Sequence, residues 1–528
     1  MRIIAIEGGE MNKRKWILNI IYIVISLIAF SLSLFRFNNP VWFAAWIAPV
    51  FFLRFLRSHK WLVAVIAGFI TLQFAVFIGL IPFLSQVDEA AVEMDFWTVL
   101  IMQVQSGFLL LAPLYFVPFL IDKALYNRVP KSIATLIFPS AVVTIEFLIG
   151  SVGSTFGDTQ HALPPLVLTA SLFGVFGLSF IVAWSASMIN TLWNEKWKIT
   201  NLGHPGLVHG VILAALLIYG GTVIAFPPKT NQSVPIAGIT IDNNFYQPMA
   251  ESGLAFNKIV ALDSDEYARI MSSPQSHLHE MREKTLDAVK AGAKIIIWQE
   301  YAITLESSAA DAYLQEMRSM ADEHDIYLLV SYARILNKNE RKNHLEKNMG
   351  VLFTPEGEKA WEYAKVFPVP GFEDVIVEAG PSDIPYIDTP YGRIGQVICV
   401  DMHLPHYLRQ AAEKNIDLLF VPSFDSAMFT PLITDSSAYR AVENGFTMVR
   451  IAGYKGESAV IDPYYRCWAR QNFTEHDSRN FYVNVPVGSY ETFYSAIGFL
   501  FPYIIILFLF SLLVLACIRS ATKRRSKK

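Results

Sequence analysis

The chain has 528 residues, 53% of them hydrophobic and only 17% charged, with 38 Phe and 11 Trp. That apolar excess excludes an all-soluble protein, and the length allows several domains. A net charge of −3 implies no polyanionic partner such as nucleic acid, and three cysteines are too few for a disulfide framework.

Apolar runs fall at about 16–35, 40–54, 61–84, 97–121, 132–149, 166–193 and 207–226, with a last one at 496–518. Each approaches the ~20 residues that cross a bilayer, although 40–54 is short. They predict a multi-span α-helical membrane bundle of about eight transmembrane helices. Seven belong to an N-terminal membrane domain over 11–226, and one to a C-terminal segment over 495–528 that ends in a basic tail. Residues 1–10 fit no predicted element, and Met11-Asn12-Lys13-Arg14-Lys15 reads as the natural start. Basic residues collect before the first run (Lys13, Arg14, Lys15) and in alternate loops (Arg54, Arg57 and Lys60; Lys123, Arg128 and Lys131; Lys196 and Lys198). By the positive-inside bias, both termini are cytoplasmic and residues 227–494 lie on the outer face of the plasma membrane.

Residues 227–494 read as a separate α/β domain, because short β-branched runs alternate with amphipathic helices. Strands are predicted at 234–241, 294–298, 326–332, 350–353, 361–366, 394–400, 418–421, 447–451 and 458–461. Helices are predicted at 274–291, 307–323, 405–413 and 434–445. The pairs His277/His279 and His403/His406 lack a partner cluster, so they read as surface helix histidines and no metal is predicted. Cys467 follows a turn that should point it away from Cys399, and Cys517 lies in the last apolar run.

The chemistry concentrates at three strand ends: Glu300 after Ile295–Trp298, Lys365 after 361–364, and Cys399 after Ile394. Brought together at the ends of adjacent strands, they would make a site for acyl transfer. A carboxylate takes the proton of a thiol, and a lysine holds the thiolate and the oxyanion of a tetrahedral intermediate. A thiol handed from a strand to the start of a helix also meets backbone N–H groups that favour its ionised form. Singly, each residue has a plain structural reading as a helix cap, a solvated strand end or a small core residue. Only the triple is specific.

Trp298-Gln299-Glu300-Tyr301-Ala302, Tyr363-Ala364-Lys365-Val366-Phe367-Pro368-Val369-Pro370-Gly371-Phe372-Glu373 and Ile398-Cys399-Val400-Asp401 resemble the three signatures of the nitrilase (carbon–nitrogen hydrolase) superfamily. Residues 418–425, 439–445 and 453–462 are similar to it as well. Seven runs before such a domain and one after resemble its membrane-bound branch, the apolipoprotein N-acyltransferase family. The resemblance implies an extracytoplasmic αββα sandwich with Glu300 as general base, Lys365 as oxyanion stabiliser and Cys399 as nucleophile. Glu373 and Asp401 would support the site, Asp401 standing where the family usually has glutamate. Trp298, Phe372, Val400 and Phe424 would be substrate-contacting positions. The implied reaction moves an acyl chain from a phospholipid, through a cysteine thioester, to the N-terminal amine of a diacylglyceryl-cysteine lipoprotein, with no cofactor. A monomer is expected.

An alternative remains open at this level. A membrane-tethered amidase could use the same three residues to hydrolyse a C–N bond. Exposed apolar loops at Phe367, Phe372, 375–377, Met428 and Phe429 would suit a lipid chain; buried, they would be ordinary core.

Overall fold

The computed structural model describes residues 2–36, 39–84, 111–150, 155–198, 203–228, 232–242, 245, 247–254, 256–371, 373–425, 430–472 and 480–525. The chain separates into two compact units, divided at Ala225/Phe226 and again at Ala496/Ile497.

Among the described residues of the first unit, five helices are long and apolar enough to cross a membrane: Lys15–Leu32, Trp61–Gly79, Ala170–Asn194, His204–Ala225 and Leu500–Arg519. The runs predicted at 40–54, 97–121 and 132–149 overlap the shorter helices Ala44–Ser58, Ala112–Leu125 and Ile137–Ile149, the first two of which run four residues past the predicted ends. Residues 97–110 of the second of these runs lie outside the described residues. The last of these helices stops at Gly150, whose φ of +75° suits a residue without Cβ. The first helix begins at Arg2, so residues 2–10 continue it and are not a separate lead-in. Its interior is aromatic: Phe30 and Phe119 each meet the ring of Phe52 edge-on, at 5.5 and 4.7 Å. Leu62, Ile218 and Leu507 are instead largely exposed on the outside. Large aliphatic side chains on the outside of an already packed bundle are what a hydrocarbon solvent selects.

The second unit contains two sheets. Its strands in chain order are β1 (Ser233–Ile239), β2 (Ile295–Trp298), β3 (Ile303–Glu306), β4 (Tyr327–Ile335), β5 (Glu346–Phe353), β6 (Lys359–Ala364), β7 (Tyr386–Thr389), β8 (Gly392–Gln396), β9 (Leu418–Asp425), β10 (Thr447–Tyr454), β11 (Glu457–Ile461), β12 (Cys467–Asn472) and β13 (Phe481–Pro486). One sheet has the order β13-β1-β2-β4-β5-β6, with β3 paired to β4, and the other β12-β11-β10-β9-β8-β7. In the first, β1, β2 and β4 are parallel; in the second, β8, β9 and β10 are.

Alternation along each strand makes this a four-layer structure. Ile295 and Ile297 of β2 join Ile394, Leu419, Val449 and Ile451 in one core between the sheets. Their neighbours Ile296 and Trp298 pack on the opposite face with Met281, Ala310 and Met317 of helices Gln275–Lys290 and Ser307–Glu323. Tyr407, Leu408 and Ala411 of helix Pro405–Glu413 and Ala438 and Ala441 of helix Leu432–Asn444 also join the second sheet's cluster. The expected αββα sandwich is therefore present. The Gln396 side chain at the end of β8 lies against Gly350 of β5, where an added Cβ would fall 1.7 Å from its Nε2 and force that amide to move.

Candidate active site

Glu300 follows β2 after one intervening residue, and Lys365 directly follows β6. Both belong to the first sheet, with β4 and β5 between their strands. Cys399 follows β8 of the other sheet. The three strand ends are thus not adjacent in one sheet, as the sequence suggested; they come from two sheets that pack face to face.

Glu300 and Lys365 are each 1% exposed and Glu373 3%, so their charges must be satisfied internally. Lys365 Nζ lies 2.9 Å from Glu300 Oε1 and 2.7 Å from Glu373 Oε2. Asn348 Nδ2 donates to the same Glu300 oxygen at 2.7 Å. Glu300 Oε2 is left without a partner among the described residues. Burial, opposed by Lys365 and reinforced by the Glu373 charge, pushes the Glu300 carboxyl up to about 7. Burial works against the Lys365 ammonium, but Glu300 and Glu373, with Cys399 behind them, hold its pKa well above the lysine value. Lys365 stays charged, with two of its three N–H bonds committed to carboxylates.

Glu373 is fixed in turn. It opens a short 3₁₀ turn, and its oxygens accept from Tyr301 Oη at 3.1 Å and from Val369 N at 2.9 Å.

Strand β8 ends at Gln396, so Cys399 is not the end of a strand that runs to 400. It opens a 3₁₀ turn, Cys399–His403, at φ +46°. That left-handed conformation is costly for a residue with a Cβ and marks a constrained position. The expected ready-made thiolate is not favoured at rest: burial, then the Glu300 charge, push the thiol well above its ordinary pKa, and Lys365 only partly offsets them. Losing hydration costs the buried thiolate more than its neighbours return.

Asp401, fully buried, holds the turn. It accepts from Tyr363 Oη at 2.7 Å, Phe367 N at 2.9 Å and Ile398 N at 3.2 Å. One carboxylate thereby ties the segment after Lys365 to the turn that carries Cys399.

The predicted substrate-contacting residues fare unevenly. Trp298 faces the helices, with Nε1 donating to Thr285 Oγ1 at 3.1 Å, because alternation along β2 points it to the outer face. Val400 is half-buried against the inter-sheet core. Phe424, near the end of β9, stacks on Tyr454 at 5.1 Å and meets Tyr301 edge-on at 6.2 Å. It thus borders the residue after Glu300. Phe372 lies outside the described residues, as do Met428 and Phe429. Ile376 and Val377 are core, whereas Val375 is exposed. Cys399 and Cys467 are both free thiols. His403 is not a surface residue: it is buried between Ser436 and Ser437 at 3.2 and 3.4 Å, and burial pushes it down to about 3, so it is neutral.

Three features escaped the sequence reading. Asn348, the donor to Glu300, sits on β5 in a stretch upstream of the predicted strand start; the alternation Glu346, Asn348, Gly350 was the available signal. Glu346 shares that face, accepts from Tyr267 Oη at 2.8 Å, and is pushed up to about 8 by burial with a smaller contribution from Glu373. On β10, Arg450 is fully buried and ion-paired with Asp425 at the end of β9. A lone arginine inside an apolar strand could have flagged it.

Residues 250–479 match the family model for carbon-nitrogen hydrolase, and residues 26–188 that for the apolipoprotein N-acyltransferase N-terminal domain. The apolipoprotein N-acyltransferase of Geobacter metallireducens is 23% identical over 403 residues, covering 71% of this chain and 72% of that protein. That of Rickettsia typhi is 22% identical over 344 residues, 61% of this chain and 63% of that protein. Among solved structures, an amidase from Nesterenkonia sp. is 16% identical with a TM-score of 0.39, covering 51% of this chain and 95% of that one.

Proposed function

The chain belongs to the apolipoprotein N-acyltransferase family, the membrane-bound branch of the carbon–nitrogen hydrolases, and from that membership we propose an N-acyltransferase that works through Glu300, Lys365 and Cys399. The donor is a membrane phospholipid and the acceptor the N-terminal amine of a diacylglyceryl-cysteine lipoprotein. One observation carries the residue assignment: a buried carboxylate has one oxygen held by Lys365 and Asn348 and the other without a partner among the described residues, in the electrostatic reach of a buried thiol.

In the first half-reaction, Glu300 Oε2 takes the Sγ proton as Sγ attacks the ester carbonyl carbon. The carbonyl oxygen becomes an oxyanion and meets the uncommitted N–H of Lys365. The C–O bond then breaks, Glu300 returns its proton to the departing alcohol, and lysophospholipid leaves a thioester on Cys399. In the second, the acceptor amine attacks the thioester, Glu300 takes an amine proton, and the C–S bond breaks. That proton returns to sulfur, leaving an amide and a free thiol. Because the resting thiol is protonated, the base is needed in each cycle. Glu373 holds Lys365, and Asp401 holds the cysteine turn.

The apolar outer helices support a multi-pass membrane protein. The loop charges support cytoplasmic termini and an outward catalytic unit, where both lipid substrates would be met. The deciding experiment is intact mass of the purified protein after incubation with a defined phospholipid, for wild type and Cys399→Ala. An acyl adduct released by hydroxylamine, on wild type only, is expected. No adduct, with C–N hydrolysis of a simple amide, would replace this reading by an amidase.

A further inference from the structure

The acylation chemistry leaves Arg450 and Asp425 without a role. Arg450 stands in the middle of β10, in the apolar stretch Thr447–Tyr454, and has no exposed surface. Parallel pairing sets Arg450 beside Val421 and Tyr454 beside Asp425, so the guanidinium must extend along the strands to reach its carboxylate partner at the end of β9. Only Nη2 is engaged there; Nε and Nη1 have no partner among the described residues. Burying a guanidinium is costly even when it is fully paired, and unmet donors add to that. The one carboxylate it meets at rest leaves the guanidinium only partly satisfied. A partner that exists only during turnover would explain it.

We propose that Arg450, aimed by Asp425, is a positioning residue that stabilises the negative charge developing on Cys399 during acyl transfer. The inference rests on Cys399 being the nucleophile. Strand β9 lies between β10 and β8 in parallel register, and Asp425 ends it on the same carboxyl side from which β8 leads to Cys399. Lys365 is already divided between two carboxylates, so a second cation two strands from the cysteine's own supplies what it cannot. The charges acting on the thiol come from both sheets: Glu300 and Lys365 from the first, Asp425 and Arg450 from the second. Asp425 opposes ionisation of the thiol and Arg450 favours it. Around Arg450 itself stand Asp425, Glu300, Glu457 of β11 and neutral His403, with Arg440 on the helix Leu432–Asn444 also facing that histidine.

The opposite signs of the two partners provide the test. Iodoacetamide alkylation of Cys399 is followed against pH in the full-length protein, with Cys467 and Cys517 replaced by serine. Arg450→Gln should raise the midpoint of the alkylation profile by about one unit, slowing the reaction at pH 7 about tenfold. Asp425→Asn should lower the midpoint, and Arg450→Lys should keep it near wild type. A purely structural pair would give the same sign in both neutralising variants. Shifts in one direction, or unshifted midpoints in variants that melt like wild type, would overturn the proposal. If Asp425→Asn does not fold, the contrast between Arg450→Gln and Arg450→Lys still decides: equal profiles refute the role of charge. The readout needs no acyl donor, so a missing phospholipid adduct would count against the acyltransfer reading alone.

Discussion

Asn348 Nδ2 donates to Glu300 Oε1 at 2.7 Å, the oxygen that also receives Lys365 Nζ, and this leaves Oε2 as the only basic face of the carboxylate. Asn348 is itself buried on β5. Its amide therefore selects which oxygen is available and helps keep the carboxyl from rising further, since hydrogen bonds to the charged form favour ionisation. Asn348→Leu should raise the pH midpoint of thioester formation and slow it about tenfold at pH 7. Stopped time points read by intact mass would measure both; an unmoved midpoint would mean that Lys365 alone sets the base.

The wild-type profile follows from the same carboxylate. The proposed base, Glu300, can accept a proton only when ionised, and burial with the Glu373 charge pushes it up to about 7. Thioester formation should rise tenfold per unit below that value and level off above it. Glu300→Gln should cost about 10²–10⁴-fold and remove the rise. A flat profile between pH 5 and 8 in wild type would exclude Glu300 as the group that titrates.

Much of this was visible in the sequence, and the losses have physical causes. Ser307–Glu323 and Pro405–Glu413 were read to the residue, because amphipathic helices carry their own period. The edge strands β7, β12 and β13 were missed: half exposed, with few consecutive apolar residues, they are held by their neighbours and not by local pattern. Glu300, Lys365 and Cys399 stood out because polar groups at the ends of apolar strands are expensive unless used. That they belong to two sheets could not be seen, since sheet pairing is long-range. The burial of Trp298 toward the helices turns on the phase of β2, which a strand with no polar residue does not reveal. For His403, a surface reading failed because its two serine partners lie on another helix.

Cys399 predicts a measurable strain. At φ +46° a Cβ is unfavourable, and a glycine would relieve it. Cys399→Gly should therefore be more stable than Cys399→Ala by about 1 kcal/mol, although both lose the thiol. Denaturation of the two variants side by side reads this directly. Equal stability would mean that the turn relaxes once sulfur is gone.

Glu346 gives the clearest pH dependence of stability. Its folded pKa, pushed up to about 8, lies above the ordinary glutamate value of 4.5. The folded state therefore binds this proton more tightly. The stability it provides is full below about pH 4.5 and is lost as pH rises toward 8. Glu346→Gln keeps an acceptor for Tyr267 Oη without that liability. The melting temperature of the variant should exceed that of wild type by a margin that grows from pH 5 to 8, corresponding to about 3 kcal/mol at pH 7. A margin independent of pH would place the ionisation elsewhere.

Asp401 tests whether the cysteine turn is held by acceptors. Its two oxygens accept from Tyr363 Oη and from the backbone N–H groups of Ile398 and Phe367, and it has no exposed surface. In Asp401→Asn, one oxygen becomes an NH2 group that must face at least one of these donors. Two donors then oppose each other in the core, and one N–H loses its partner. The expected cost is about 2–3 kcal/mol of stability. Because the lost acceptor joins the Lys365 segment to the Cys399 turn, thioester formation should fall further than stability explains. The comparison is made well below the melting temperature, where the variant is folded. If rate and stability fall in proportion, Asp401 is a core residue; if the rate falls alone, it aligns the thiol with its base.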